Sequence, residues 1–537
     1  MILHSRNLSI PIFSVSILFF FIFYSMSQAQ LTDETQTFPN VPGGTIGKSL
    51  EEQVGAGTGD EITPGSSSYL ILRDPARSIR RGRQLFQRKF TEDQGQGPRV
   101  SNDSSGNIQE NRALGAGLTD SCAACHGRPK GAAGFGGDVA TRPDSRDAPH
   151  LFGLGLVEML ADEITKDLRS IRGQAITMAQ EQSSTVTLDL ESKGIKYGSI
   201  TASPDGSVDT SQVKGVNPDL RVRPFFHHGG TISMREFIIG AFKDEMGLQT
   251  ADTLLCFATD PDNPQAIITP AGMEFDPQID EIERPPVCDS NEDGDADGVV
   301  NEIDPALVDH LEFYLLNYFK PGTGKMTRTA RRGVRIMEDI GCTGCHVQNL
   351  TVDSDRRIAD VETEYDPNRG IFNRLFATAT ELFEVSDDGE EYPQLLPKGE
   401  SFEVKNIFAD FKRHDLGPAF HEREYDGTMV TEFMTEPLWG VGSTAPYGHD
   451  GRSINLEEVI LRHGGEAEES KKAFQKLNDR KQEMVLEFLR TLILFPPDDT
   501  ASNLNPGNPG TNNPQDPDEH GTINLGALFQ IESEGAE

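Results

Sequence analysis

The chain is predicted to be mainly α, with two helical modules in tandem, irregular insertions and an acidic linker between the modules. Three observations predict it. Cys-x-x-Cys-His occurs twice, at Cys122–His126 and at Cys342–His346. A longer duplication surrounds both copies, with four blocks recurring in the same order. Apolar residues at helical spacing accompany each copy, as in Leu456, Val459 and Ile460 with His463 one turn on.

Taken from the N-terminus, residues 1–29 read as a secretory signal peptide. Arg6 precedes an apolar run from Ile10 to Tyr24, and Ser27-Gln28-Ala29 forms a small-x-small cleavage site. An uncleaved anchor is the competing reading. No later stretch is apolar enough to span a bilayer, so no stable membrane insertion is expected after cleavage, and the expected compartment is periplasmic. Residues 30–65 form an irregular arm. The first module, 66–255, opens with Arg77-x-x-Arg80-Arg81-Gly82-x-x-Leu85-Phe86 and continues through Pro149–Gly155, Pro224–Gly229 and a short helix at Met234–Ile238. Within it, 189–220 reads as an insertion with strand character. Residues 256–305 are a linker.

The second module, 306–497, repeats the blocks as Arg328-x-x-Arg331-Arg332-Gly333-x-x-Ile336-Met337, Glu436–Gly442, Pro446–Gly451 and a helix at Leu456–Ile460. An amphipathic segment near 471–495 is expected to be its C-terminal helix. Residues 498–537 are a Pro/Asn-rich tail. Each module is thus expected to be cytochrome-c-like, with one helix leading into its motif and another after a Gly-rich turn.

Cys-x-x-Cys-His is the spacing of c-type haem attachment, with two thioethers to the porphyrin and the histidine on iron. A redox pair or half a zinc site is the alternative for one copy; two copies in an exported chain favour two covalent haems, held by Cys122, Cys125, His126 and by Cys342, Cys345, His346. The other two cysteines, Cys256 and Cys288, are expected to pair as a disulfide in an oxidising compartment, against two inert thiols.

In the linker, Asp293, Asp295, Asp297, Asn301 and Asp304 fall at positions 1, 3, 5, 9 and 12 of an EF-hand loop, with Gly298 at position 6. Position 12 is Asp where such loops favour Glu. The loop predicts Ca2+; the bland alternative is an acidic turn.

Each haem iron has a sixth position to fill. His463, on the buried face of its helix, is expected to cap the iron bound by His346. The equivalent residue of the first module is Ala241, which cannot ligate, so that haem is open or differently capped. His150, His227 and His228 surround it as candidate ligands, propionate contacts or relays. Glu245 is a candidate general acid–base over an open iron. The formal charge of -36 excludes nucleic acid as an expected partner and suits a basic electron-transfer protein, or simply solubility.

Cys125–Pro129, Phe152–Glu158, His414–Gly417, Pro437–Arg452 and Thr522–Phe529 together resemble the bacterial di-haem oxidoreductases described as peroxidases and formerly labelled thiol oxidoreductases. Those are related to di-haem cytochrome c peroxidases and to the di-haem enzyme that matures a tryptophan-derived quinone. The resemblance implies that Glu245-Met246 corresponds to the distal Glu-Met pair of the peroxidases. It also implies that His463 stands where those enzymes place Met or Tyr. The peroxidases carry a tryptophan between the haems, about where His227 falls here; this chain departs from them there, its one tryptophan being Trp439 in the second module, which argues against a tryptophan relay. The reading is an exported di-haem c-type oxidoreductase, peroxidase-like. Electrons from a small cytochrome c or copper protein would enter at the second haem, and H2O2 would be reduced at the first. Oxidation of a partner protein or small molecule is one alternative; a non-catalytic two-haem electron carrier is the other.

Overall fold

The computed structural model describes residues 50–97, 119–127, 138–139, 146–277, 279–285, 287–293, 298–300, 302–318, 322–365, 375–386, 393–424 and 427–494. All lie in one compact unit, Ser49–Glu537. The expected signal peptide, most of the arm and the tail fall outside the described residues. None of the described helices is long and apolar enough to cross a membrane.

The fold corrects the mainly α expectation: it is mixed. Helices frame both motifs, but nine small sheets, every pairing antiparallel, interrupt them among the described residues. The insertion read near 189–220 is a three-stranded sheet of Val186–Ser192, Ile195–Ala202 and Val208–Asp209. In the second module three two-stranded sheets occupy 350–404, joining Leu350–Val352 to Phe402–Val404, Ala359–Tyr365 to Leu375–Glu381, and Phe383–Ser386 to Gln394–Pro397. Several alternate in sequence, as Leu350-Thr351-Val352, Phe402-Glu403-Val404 and Ala359–Tyr365 do, but each is short and becomes a strand only against its partner.

The duplication is visible as two helix crossings. Helix Pro75–Gln87 packs on helix Pro305–Leu316, and helix Arg328–Asp339 packs on helix Asp479–Leu489. The repeated glycine makes each crossing close. A Cβ on Gly82 would lie 2.0 Å from the His310 carbonyl oxygen, and one on Gly333 would lie 2.0 Å from that of Met484. Helix Pro305–Leu316, which the sequence places at the head of the second module, therefore does for the first motif what Asp479–Leu489 does for the second. Asp304 and Pro305 start it: the Asp304 carboxylate accepts from the Ala306 N–H at 2.9 Å. The expected helix at 471–495 is two, Glu468–Gln475 and Asp479–Leu489, because Asn478 caps the second by accepting from the Lys481 N–H at 3.0 Å.

A large apolar core draws on both modules, with Phe86, Phe152, Leu156 and Leu311 beside Leu350 and Trp439. A smaller one, around Met337, Phe474, Val485 and Phe488, supports the second motif alone. Behind the Met234–Ala241 helix, Arg235 is wholly buried and pairs with Asp252, with Asp309 at 2.8 Å and with Glu312 at 2.9 Å. These pairs tie that helix to Pro305–Leu316, and the single cation offsets the desolvation of only part of the acid cluster.

Candidate haem-binding site

The first Cys-x-x-Cys-His forms a short helix, Cys122–His126, and the second a tight turn, Cys342–Gly344, running into Cys345 and His346. The four motif cysteines form no disulfide, whereas Cys256 and Cys288 are joined as one. His126 donates from Nδ1 to the Pro149 carbonyl at 2.7 Å, and His346 from Nδ1 to the Phe408 carbonyl at 3.0 Å. Burial pushes His126 down to about 4 and also lowers His346, so both rings are neutral. With the proton fixed on Nδ1, Nε2 keeps its lone pair for a metal.

Both motifs open into one cavity of about 720 Å3, lined mostly by apolar side chains. Apolar walls, neutral imidazoles and unpaired cysteines at thioether spacing fit haem at each motif. Residues Cys122, Cys125 and His126 would hold one, and Cys342, Cys345 and His346 the other.

His463 follows the Leu456–Arg462 helix as its C-cap and lines the same cavity. Asn455 starts that helix by accepting from the Glu458 N–H at 2.8 Å, while Glu458 accepts from the Ile454 N–H at 2.9 Å, a reciprocal cap. The His463 Nδ1 donates to the Val459 carbonyl at 2.7 Å, and burial brings the ring down to about 4. It thus presents Nε2 as the two motif histidines do.

In the first module the matching helix, Met234–Ala241, ends at Ala241, and a π-helical turn, Phe242–Met246, follows. Such turns concentrate at functional sites. This one turns Glu245 into the cavity, near enough to Cys125 for its charge to raise that thiol, after burial has done most of the raising.

The remaining sequence candidates separate by hydrogen bonding. His150 uses both nitrogens: Nε2 donates to the Trp439 carbonyl at 2.9 Å, and Nδ1 accepts from the Phe152 N–H at 3.2 Å. No lone pair is left for iron, so it joins the modules instead. His227 donates from Nδ1 to Glu436 at 2.8 Å, and His228 stacks on Phe226.

Sequence reasoning passed over the centre formed by Asp410 and His414. His414 reaches Asp410 from Nε2 and Glu466 from Nδ1, both at 2.9 Å. Burial opposes its charge, but the two carboxylates and a contact with Cys345 outweigh it and hold the imidazolium up to about 11. Cys345, Asp410 and His414 also place donor atoms close enough together for a metal, but both ring nitrogens are already committed to carboxylates.

Of the expected calcium ligands, Asp295, Asp297 and Asn301 lie outside the described residues. Asp293 accepts from the Gly298 N–H at 2.8 Å, and Gly298 has φ +91°, the reversal such a loop requires. Asp304 serves as the helix cap already described.

The two Cys-x-x-Cys-His motifs and the apolar cavity they share fit a haem-binding oxidoreductase. Residues 377–492, which hold His414, the Pro437–Arg452 run and His463, match the family described as "Di-haem oxidoreductase, putative peroxidase". That is the family the motifs resemble. No curated protein matches the chain. Among solved structures, hydrazine synthase of Kuenenia stuttgartiensis, pressurised with 20 bar xenon, aligns at 16% identity over 38% of this chain and 60% of that one. The TM-score of 0.22 is too low to define a shared fold.

Proposed function

We propose that the protein is an exported, peroxidase-like di-haem c-type oxidoreductase. One observation carries the reading: a single cavity receives both motifs, yet His463 offers a second nitrogen to one and Ala241 offers nothing to the other. The His346 site is then closed and suited to electron entry, and the His126 site is open to a small oxidant. Haem, covalently bound at each motif, supplies iron that stores single electrons and polarises peroxide.

The chain supplies the rest. His126 and His346 are held as neutral ligands by their main-chain acceptors. Glu245 moves a proton from one peroxide oxygen to the other, so that the leaving oxygen departs as water. Two electrons and two protons complete the reduction of H2O2 to two waters. The electrons come from a small cytochrome c or copper protein. The disulfide accords with an oxidising, periplasmic location, and Asp293 with Gly298 accords with a Ca2+ loop that fixes the linker.

The test is an EPR spectrum of the haem-loaded protein, taken after addition of one electron per chain and again after stoichiometric peroxide. A high-spin ferric signal that peroxide converts is expected. Low-spin signals alone, indifferent to peroxide, would leave a two-haem electron carrier. Peroxide consumed only when a partner protein is present, with oxidation of that partner, would instead identify a partner-oxidising enzyme.

A further inference from the structure

A series of ring contacts runs through the cavity that both motifs share. His463 meets Phe420 edge-on, with ring centroids 5.5 Å apart. Phe420 lies 6.1 Å from His449, and His449 lies 5.9 Å from His227. At the His227 end the cavity wall continues to His126, and at the His463 end to His346.

The series is held in place from outside. Arg462 lies over the Phe420 ring at 4.2 Å and is itself paired with Asp450. Phe433 stacks on His449 at 4.1 Å and 13°. Glu436 fixes the His227 ring, and the Met434 N–H donates to the His227 carbonyl at 2.8 Å. His227 and His449 also occupy matching positions of the duplication, Pro224–Gly229 and Pro446–Gly451. The two copies of one turn therefore meet where the modules join. Trp439 stands apart: among the described residues it makes no ring contact, and its carbonyl is taken by His150.

We propose that Phe420, His449 and His227 form the path by which single electrons pass between the two haem-binding sites. The inference rests on the reading that both motifs hold haem. For each electron, the His346 site is oxidised by one unit and the His126 site is reduced by one. The electron tunnels through packed ring contacts, so no side chain is oxidised and no proton is exchanged along the path. The rings matter for contact and rigidity, not for titration.

The experiment uses the full-length haem-loaded protein. Haem content is counted by mass first, then a photoexcited reductant delivers one electron and the redistribution between the two haems is followed optically. His449→Leu and His227→Leu are expected to slow that redistribution by about tenfold or more, by breaking a contiguous packed route. His449→Phe, which keeps a ring, is expected to restore it, and Trp439→Phe to leave it unchanged. The potentials of both haems are measured in each variant, so that a change in driving force is separated from a broken contact. An unchanged rate in His449→Leu and His227→Leu, or slowing by Trp439→Phe alone, would overturn the path. A wild-type chain with fewer than two haems would overturn the functional reading beneath it.

Discussion

Gly333→Ala tests the helix crossing that supports the second motif. The added Cβ would lie 2.0 Å from the Met484 carbonyl oxygen and 2.8 Å from the Phe488 Cβ. Both contacts are with the partner helix, one of them with its main chain, so no side-chain rotation relieves them; helix Arg328–Asp339 has to retreat by about 1 Å or more. Overpacking of this kind costs about 1–3 kcal/mol. The better helix preference of alanine returns up to about 1 kcal/mol. The net loss is about 1–2 kcal/mol, and for a chain of this length Tm is expected to fall by about 1–2 °C. Thermal melts followed by far-UV circular dichroism and by the Soret band read it. The Soret change is expected to be largest at the second haem, since Met337 on the displaced helix and Cys342, three residues past its end, both line the cavity. Gly82→Ala meets the same clash against His310 in the first module. Gly173→Ala is the control: its Cβ would meet nothing within 4 Å, and it should stabilise. A Gly333→Ala protein as stable as the control would refute the close crossing.

Three further outcomes are expected. Burial pushes Glu158 from 4.5 up to about 8, despite Arg356 at 3.7 Å, while its carboxyl accepts the Met234 N–H at 2.7 Å. The folded state therefore holds a proton that the unfolded state releases; the stabilisation is complete below 4.5 and is lost as pH rises to 8, by about 4–5 kcal/mol. Urea midpoints at pH 5 and pH 8 should converge in Glu158→Gln, and equal slopes in both proteins would disprove the assignment. Cys256→Ser opens a disulfide spanning 32 residues, which should cost up to about 3–4 kcal/mol in urea unfolding and leave the haem spectra intact. Glu245→Gln should lower peroxide turnover by about 10²-fold or more without changing either resting haem spectrum, because only proton transfer is removed; turnover within a factor of about two would exclude the role.

The site was more legible in the sequence than the fold was. Cys-x-x-Cys-His carries its expected chemistry in five residues, and His463, expected on the buried face of its helix, is the C-cap just past Arg462 and still lines the cavity. What could not be read locally was decided by distant partners. His150 looked like a free ligand until the Trp439 carbonyl, 289 residues away, occupied its second nitrogen. His414 stood in a recognised motif, but its charge comes from Asp410 on one side and Glu466 on the other. The strands at 350–404 are three to seven residues long, so an alternation such as Leu350-Thr351-Val352 is too brief to announce a sheet before its partner is known, and the mainly α expectation failed there. The π turn at Phe242–Met246 has no sequence marker at all.

Duplication with unequal repair explains how one scaffold supplies two chemistries. Gly82 and Gly333 keep the same close crossing, and His227 and His449 keep the same turn, because packing constrains both copies alike. The divergence sits at the C-terminal end of the distal helix: His463 as its C-cap in one copy, Ala241 and the π turn in the other. Ala241→His therefore follows as the decisive substitution. Ala241 lines the cavity into which the first motif opens, so a histidine there would carry its ring toward that motif. The expected protein has two low-spin haems, no high-spin ferric signal after one-electron reduction and no reaction with peroxide, while its electron uptake at the second haem is unchanged. A persistent high-spin signal in that variant would show that the two distal positions are equivalent in sequence only, and that something other than an unfilled ligand position opens the first site.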